Sequence, residues 1–274
     1  MDNATWVTSV AESRCAFVTT LCGGGYLSGA IALARSLKFV GSGYPLVACC
    51  SGCSSEELRK LEGEGVIVSE LREVLPPEIV VNLNRNNGFE RWDHTFSKLS
   101  LLGLNDFDKL VMVDSDMLFV QNADELFDRP SMSAVAAGHG AHQDWVDLNS
   151  GLMVIEPSDR LYGRALDILN SLTKEDLVGY QGLGDQDILT LLIPDWKVRD
   201  SLHLSECYNA FQDCLAFYDA SGYLPYDDVK VVHFELTPKP WDYGLCDWAR
   251  ILKRAIKMRS KAEIKAARAY LNII

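Results

Sequence analysis

Short apolar, β-branched runs alternate with stretches of helical periodicity along most of this chain, and that alternation restricts it to a sheet flanked by helices. Cys15–Leu21 reads as a first strand, followed by Gly23-Gly24-Gly25 and a helix from about Tyr26 to Val40. Residues 44–50 and 66–68 read as the next two strands. Between them Ser54-Ser-Glu-Glu57 has capping-box spacing and opens a helix to about Glu62. Residues 69–93, with Pro76-Pro77 and Asn84-Arg-Asn-Asn-Gly88, read as a long surface loop. A helix over 96–102 precedes the strand Lys109–Val113. Strands at 134–137, 151–155 and 229–234 and helices at 159–172 and 185–193 complete the pattern. Residues 242–274 are helical by periodicity, with Trp248, Leu252, Ile256 and Ile264 on the apolar side. The expected organisation is one α/β domain over 1–244 and a basic amphipathic helical tail over 245–274.

A net charge of −12 leaves no basic footprint for nucleic acid. The charge is uneven: from Leu245 onward eight Lys/Arg face Asp247 and Glu263, so the tail is +6 and the remainder −18. No run approaches the roughly 18 uninterrupted apolar residues of a membrane span. The start, Met1-Asp-Asn-Ala-Thr-Trp6, lacks a basic-then-apolar leader pattern, so a cytoplasmic location is expected. The sequon Asn3-Ala-Thr5 has meaning only in a secretory compartment. The eight cysteines show no metal-ligand spacing with histidine, and Cys49, Cys50 and Cys53 lack a fourth ligand for zinc. Reduced thiols are expected.

Asp-x-Asp occurs three times, and context separates the copies. Asp106-Phe-Asp108 lies in a turn composition ahead of a strand, which favours a solvated turn. Asp114-Ser-Asp116 ends the apolar run Leu110-Val-Met-Val113, where an open sheet binds ligands. A bare pair of like charges at such a place is costly unless a cation compensates it. His233 ends another β-branched run, Val231-Val232, and would be a satisfied core histidine were it alone. Two carboxylates and an imidazole suit Mn²⁺ better than Mg²⁺. Lys239, fixed between Pro238 and Pro240, suits a preorganised diphosphate contact. Gly23-Gly24-Gly25 permits close backbone approach but lacks the spacing of a P-loop. Tyr26 either stacks on a base or starts the helix, and Lys98 is either a solvated helix residue or a phosphate contact. Asn149, Asp185 and Gln186 are caps individually and a sugar pocket collectively.

Taken in order, these segments resemble the glycogenin-like retaining glycosyltransferases of family 8, over about Ala16 to Tyr243. The likeness rests on Phe17-Val-Thr19, Tyr26, Gly29-Ala30, Asp114-Ser-Asp116, Asn149-Ser-Gly151, Gly184-Asp-Gln186 and Val231-Val-His-Phe through Lys239-Pro-Trp241. The resemblance implies a GT-A type, Rossmann-like mixed sheet flanked by helices and a UDP-sugar donor. It implies a metal, Mn²⁺ or Mg²⁺, held by Asp114, Asp116 and His233. It places Thr19, Leu21, Tyr26, Lys98, Asp114, Ser115 and Lys239 at the donor, and Asn149, Asp185 and Gln186 as the catalytic, sugar-facing residues. Homodimers are common in the family, so a homodimer is expected.

Two departures matter. Leu236 stands where the family usually has glycine, and an ungapped count from Val231-Val-His-Phe places Ala216 where glycogenin has its acceptor tyrosine. Tyr218, Tyr223 and Tyr226 keep self-glycosylation open. The expected activity is transfer of a hexose, galactose ahead of glucose, to a separate glycan, glycoprotein or small hydroxyl acceptor. One such acceptor, by likeness to protist α-galactosyltransferases, is the hydroxyproline-linked glycan of Skp1, a ubiquitin-ligase adaptor. The alternatives are a self-glucosylating primer, a galactinol synthase-like enzyme and a non-catalytic UDP-sugar-binding scaffold. A haloacid-dehalogenase-type phosphatase also ends a strand in Asp-x-Asp, but Leu118 stands where its motif has Thr or Val, and three strands precede the motif here.

Overall fold

The computed structural model describes residues 14–274; the polar start and the Asn3 sequon lie outside them. Its strands are β1 (Cys15–Cys22), β2 (Leu46–Ser51), β3 (Ile67–Glu70), β4 (Lys109–Val113), β5 (Met117–Phe119), β6 (Ser133–Val135), β7 (Asn149–Ile155), β8 (Ala210–Phe211) and β9 (Val231–His233). The helices are α1 (Leu27–Phe39), α2 (Ser55–Gly63), α3 (Glu78–Asn87), α4 (Asp159–Ser171), α5 (Asp185–Leu192), α6 (Leu215–Ser221), α7 (Leu245–Met258) and α8 (Ala262–Ile273). The main sheet has the order β3-β2-β1-β4-β7-β6, and a small sheet has the order β5-β9-β8. From β3 to β4 the main sheet is parallel, and β7 joins β4 antiparallel.

The central strands are almost wholly apolar because helices cover both faces. On one face Phe17, Leu21, Val111 and Val113 meet Ala30, Leu33 and Leu37 of α1. On the other, Ala16, Val18, Leu110 and Met112 meet Phe96, Leu99, Ile188 and Leu189. The chain steps outward from β1 to β2 and β3, then returns to pair β4 on the opposite side of β1. That reversal puts the switch in strand order at the carboxyl ends of β1 and β4, the usual ligand position of such sheets.

Three expectations change. Residues 69–93 are not one loop, because α3 occupies Glu78–Asn87. Pro77 presets the helix entry with φ −63°, and Gly88 at φ 78° closes it, so the apparent loop markers are start and stop signals. The helix read over 96–102 is part of a longer 3-10 stretch, Glu90–Gly103. In α7 the buried side chains are Ile251 and Ala255, whereas Leu252 and Ile256 face outward. The capping box at Ser54 and Glu57 forms as read, with both reciprocal bonds present.

A third apolar cluster joins the small sheet to the end of the chain: Leu118, Val232 and Phe234 pack with Ala32 of α1 and with Ala262, Ala266 and Tyr270 of α8. Tyr270 is 1% exposed, and its ring lies 5.6 Å from Phe234 and 6.1 Å from Trp241. Removing so large a side chain from a closed cluster costs about 3–5 kcal/mol. Tyr270→Ala should lower the urea-unfolding free energy by that amount; a change below about 1 kcal/mol would mean that α8 contributes little to the folded core.

Candidate active site

The site grows out of the turn between β4 and β5. Asp114 still belongs to the main sheet, its N–H donating to Gly151 O at 2.9 Å. The turn closes with Met117 N donating to Asp114 O, and the chain enters the small sheet, where Met117 pairs with His233. Asp114 and Asp116 therefore end one sheet and begin the next, with the last residue of β9 beside them. One ligand atom each from Asp114, Asp116 and His233 lies within 4.8 Å of the others. His233 Nε2 is 3.3 Å from Asp116 Oδ1 and 3.9 Å from Asp114 Oδ2.

Two glycines make this approach feasible. A Cβ on Gly29 would stand 2.3 Å from Ser115 O, and one on Gly151 would stand 2.7 Å from His233 Cε1. Both positions need the absence of a side chain because α1 and β7 press against the metal-site residues.

Ammonium groups hold the carboxylates from both sides. Lys98 Nζ is 2.5 Å from Asp114 Oδ1 and 3.4 Å from Asp185 Oδ2. Lys239 Nζ is 2.7 Å from Asp116 Oδ2 and donates to Phe234 O and Glu235 O. Burial pushes the Asp116 carboxyl up, but the His233 ring and then Lys239 outweigh it and hold it far below the usual carboxylate range. Asp114 goes the other way: burial, reinforced by the Asp116 charge, raises it despite Lys98. Burial also opposes charging of His233, and the facing Asp116 carboxylate reverses that, so the imidazole is raised. The two adjacent carboxylates are thus driven apart, each by its own burial and its own cationic neighbours.

The donor set fits a divalent metal. His233 Nδ1 lies 2.9 Å from Asn209 Oδ1, and Asn209 Nδ2 donates to Asn149 Oδ1 at 2.8 Å. This amide orientation makes Nδ1–H the donor and turns the Nε2 lone pair toward Asp114 and Asp116. A neutral imidazole there would meet two acceptors, so the position is filled by a proton or by a cation. Hard oxygens with one imidazole match a divalent first-row ion. Asn209 has no counterpart in the sequence reading: it precedes a two-residue strand, and nothing around it forms a pattern.

Asn149, Ser150 and Gln186 are brought together: Gln186 Oε1 accepts from Asn149 Nδ2 and from Ser150 N, both at 3.1 Å. Asp185 is buried beside them, with Oδ2 facing only the long contact to Lys98. Tyr26 is 43% exposed, stands edge-on to Trp241 at 5.6 Å and lies 5.8 Å from Lys239 Nζ. Thr19 is buried with its hydroxyl unpartnered, and Ser115 is buried in the turn itself. The Leu21 side chain points into the core, which leaves only its backbone for a ligand. Asp106-Phe-Asp108 is a structural turn, with Asp108 accepting from Arg14 N. Tyr218 is 0% exposed and its hydroxyl donates to Glu206, so the folded chain offers no access to it; Tyr223 is half exposed.

No family model matches the chain. It is 32% identical over 237 residues to glycogenin-1 of Caenorhabditis elegans, covering 82% of this chain and 50% of that protein. It is 29% identical over 254 residues to inositol phosphorylceramide glucuronosyltransferase 1 of Arabidopsis thaliana, covering 85% of this chain and 43% of that protein. The chain thus spans about half the length of these curated relatives. Among solved structures, it resembles the apo form of the glycosyltransferase GlyE of Streptococcus pneumoniae with a TM-score of 0.58 at 17% identity, covering 89% of this chain and 63% of that one. The fold is the GT-A type expected from the sequence.

Two outcomes test the centre. A protonated His233 stabilises the metal-free fold fully below its unfolded value of about 6.5, and that stabilisation fades as pH rises through the raised folded value. A metal competes with the same proton, so the Mn²⁺-induced rise in Tm should be larger at about pH 8 than at about pH 6. An equal rise at both would separate His233 from the metal. Asn209→Ala should weaken Mn²⁺ binding about 10- to 100-fold in calorimetry, through loss of the imidazole orientation.

Proposed function

The chain belongs to the glycogenin-like glycosyltransferases of family 8, and from that membership we propose that it moves a hexose from a UDP-sugar to a hydroxyl acceptor with retention at the anomeric carbon. The observation that carries this reading is the Asp114, Asp116 and His233 cluster at the sheet edge, with Lys239 beside it. A bound divalent cation, Mn²⁺ ahead of Mg²⁺, would supply Lewis acidity to the departing diphosphate.

The remaining work falls to the chain. Asp114, Asp116 and Asp185 stand against Lys98, Lys239 and a protonated His233, three charges of each sign. Exchanging the imidazole proton for a divalent ion makes the site positive by one, the sign a nucleotide diphosphate requires. Lys239 has its ammonium preset by two carbonyls and supplies charge where the leaving group develops it. Tyr26, Thr19, the backbone at Leu21 and Ser115 would face the nucleotide and its diphosphate.

Asn149, Asp185 and Gln186 hold the sugar. Gln186 has its oxygen committed to Asn149 and Ser150, and Asp185 shares Lys98 with Asp114. Neither carboxamide nor carboxylate is set up as a strong nucleophile, which favours attack from the leaving-group face over a double displacement. A separate acceptor is favoured over a self-glucosylating primer because Ala216 stands where glycogenin has its acceptor tyrosine and Tyr218 is buried. That leaves Tyr223 and Tyr226 as the self-acceptors to exclude by mass spectrometry. Galactose is placed ahead of glucose on the likeness to the protist α-galactosyltransferases, whose Skp1-linked glycan is then one candidate acceptor. Relatives in Arabidopsis thaliana named for glucuronosyl transfer, one of them from UDP-glucuronate, add that nucleotide sugar to the donors worth testing.

The test is UDP release, with Mn²⁺ and no acceptor, from UDP-galactose, UDP-glucose and UDP-glucuronate. One donor should be hydrolysed, its sugar leaving with the donor's anomeric configuration by NMR. Asp116→Ala should lose at least about 10²-fold. No release from any donor, together with no Mn²⁺-dependent UDP binding by calorimetry, would overturn the assignment.

A further inference from the structure

Helix α7 carries an apolar stripe on the wrong side for folding. Its inward side chains, Ile251 and Ala255, are 2% and 8% exposed, whereas Leu245, Leu252 and Ile256 are 90%, 50% and 79% exposed. On a helix these three fall within about 40° of one another. Arg250, Lys253 and Lys257 occupy the next flank, within about 60°. The stripe runs for about 16 Å, and Trp248 borders it on the core side, half-buried and edge-on to Tyr243.

The charge beside this stripe is unspent. Of the eight cations from Leu245 onward, Arg250 pairs with Asp247, Arg254 with Glu263 and Lys265 with Asp227. Lys253, Lys257, Arg259, Lys261 and Arg268 are exposed and have no ion-pair partner among the described residues. These cations therefore stay available although the rest of the chain carries −18. A solvated helix would turn polar groups outward here, not leucine and isoleucine. A second copy docked antiparallel across a two-fold axis would set one basic flank beside the other. An apolar stripe flanked by free cations complements a surface that is anionic at its headgroups and apolar just beneath.

We propose that α7 seats the chain on an anionic lipid surface. The Leu245, Leu252 and Ile256 side chains enter the boundary between headgroups and acyl chains, and Lys253 and Lys257 reach back to the phosphates along their methylene stems. Trp248 is placed at the level favoured by interfacial indoles. No helix among the described residues is long and apolar enough to cross a membrane, and the contact assigned to α7 lies at the headgroup boundary. The inference is independent of the reaction assigned to the donor site.

The test is co-sedimentation of the full chain with phosphatidylcholine vesicles and with vesicles containing phosphatidylglycerol. Binding is expected to the second only, and to weaken when salt is raised from about 0.1 M to about 0.5 M. Leu252→Asp with Ile256→Asp, and separately Lys253→Glu with Lys257→Glu, should each weaken it at least about tenfold. All four positions are exposed and outside the donor site, so thermal unfolding and UDP release in solution should match the unaltered chain. No binding to anionic vesicles, equal binding to neutral ones, or binding indifferent to both double substitutions would overturn the proposal. A dimer in solution that Leu252→Asp with Ile256→Asp converts to monomer would assign the stripe to a second copy and overturn it equally.

Discussion

Three carboxylates gathered at one sheet edge impose the condition that the rest of this molecule meets. Charges taken out of water cost several kcal/mol each unless paired. Asp114, Asp116 and Asp185 are paired by Lys98, Lys239 and His233, which arrive from a 3-10 stretch, a proline-bracketed loop and a strand of a second sheet. Each cation is in turn fixed by something else: Lys239 by two carbonyls, His233 by Asn209. The arrangement is balanced without a metal and would turn net positive with one, as the proposed diphosphate donor requires.

How much of this was legible depends on range. The sheet, its order of appearance and the turn carrying Asp114 and Asp116 are written in local patterns, because long apolar runs covered by helices leave a plain trace. His233 and Lys239 were legible for the same reason, through a strand end and two prolines. Asn209 was not, since its role depends on a contact with a histidine far along the chain and a two-residue strand leaves no period. The three-residue β5 was hidden in the same way. Helix α3 was misjudged because proline and glycine mark helix ends as well as loops. The inward side of α7 was misjudged because that helix has two apolar faces, and periodicity does not say which one the core claims.

The last thirty residues have a double character. Chemically they are the basic part of an acidic chain, yet α8 inserts Ala262, Ala266 and Tyr270 into the cluster that backs the strand ending in His233. Glu263, fully buried, receives both Arg254 and Gln212, and Gln212 N donates to His233 O. The helical hairpin is thus wired to the centre by polar as well as apolar contacts, while its outer surface is left for something outside the chain.

The turn Asp114-Ser115-Asp116 belongs to two sheets at once, and its partner His233 comes from the far end of the sequence. A cation held there would close a very long loop, as a cross-link does, with an entropic effect that grows with the length enclosed. It would also raise the free energy of any partial opening that parts the small sheet from the large one. Occupancy of the site then sets more than reactivity. With an ion in place the strand that ends in His233 would be tied directly to the Asp114–Asp116 turn, and chelation would remove that tie.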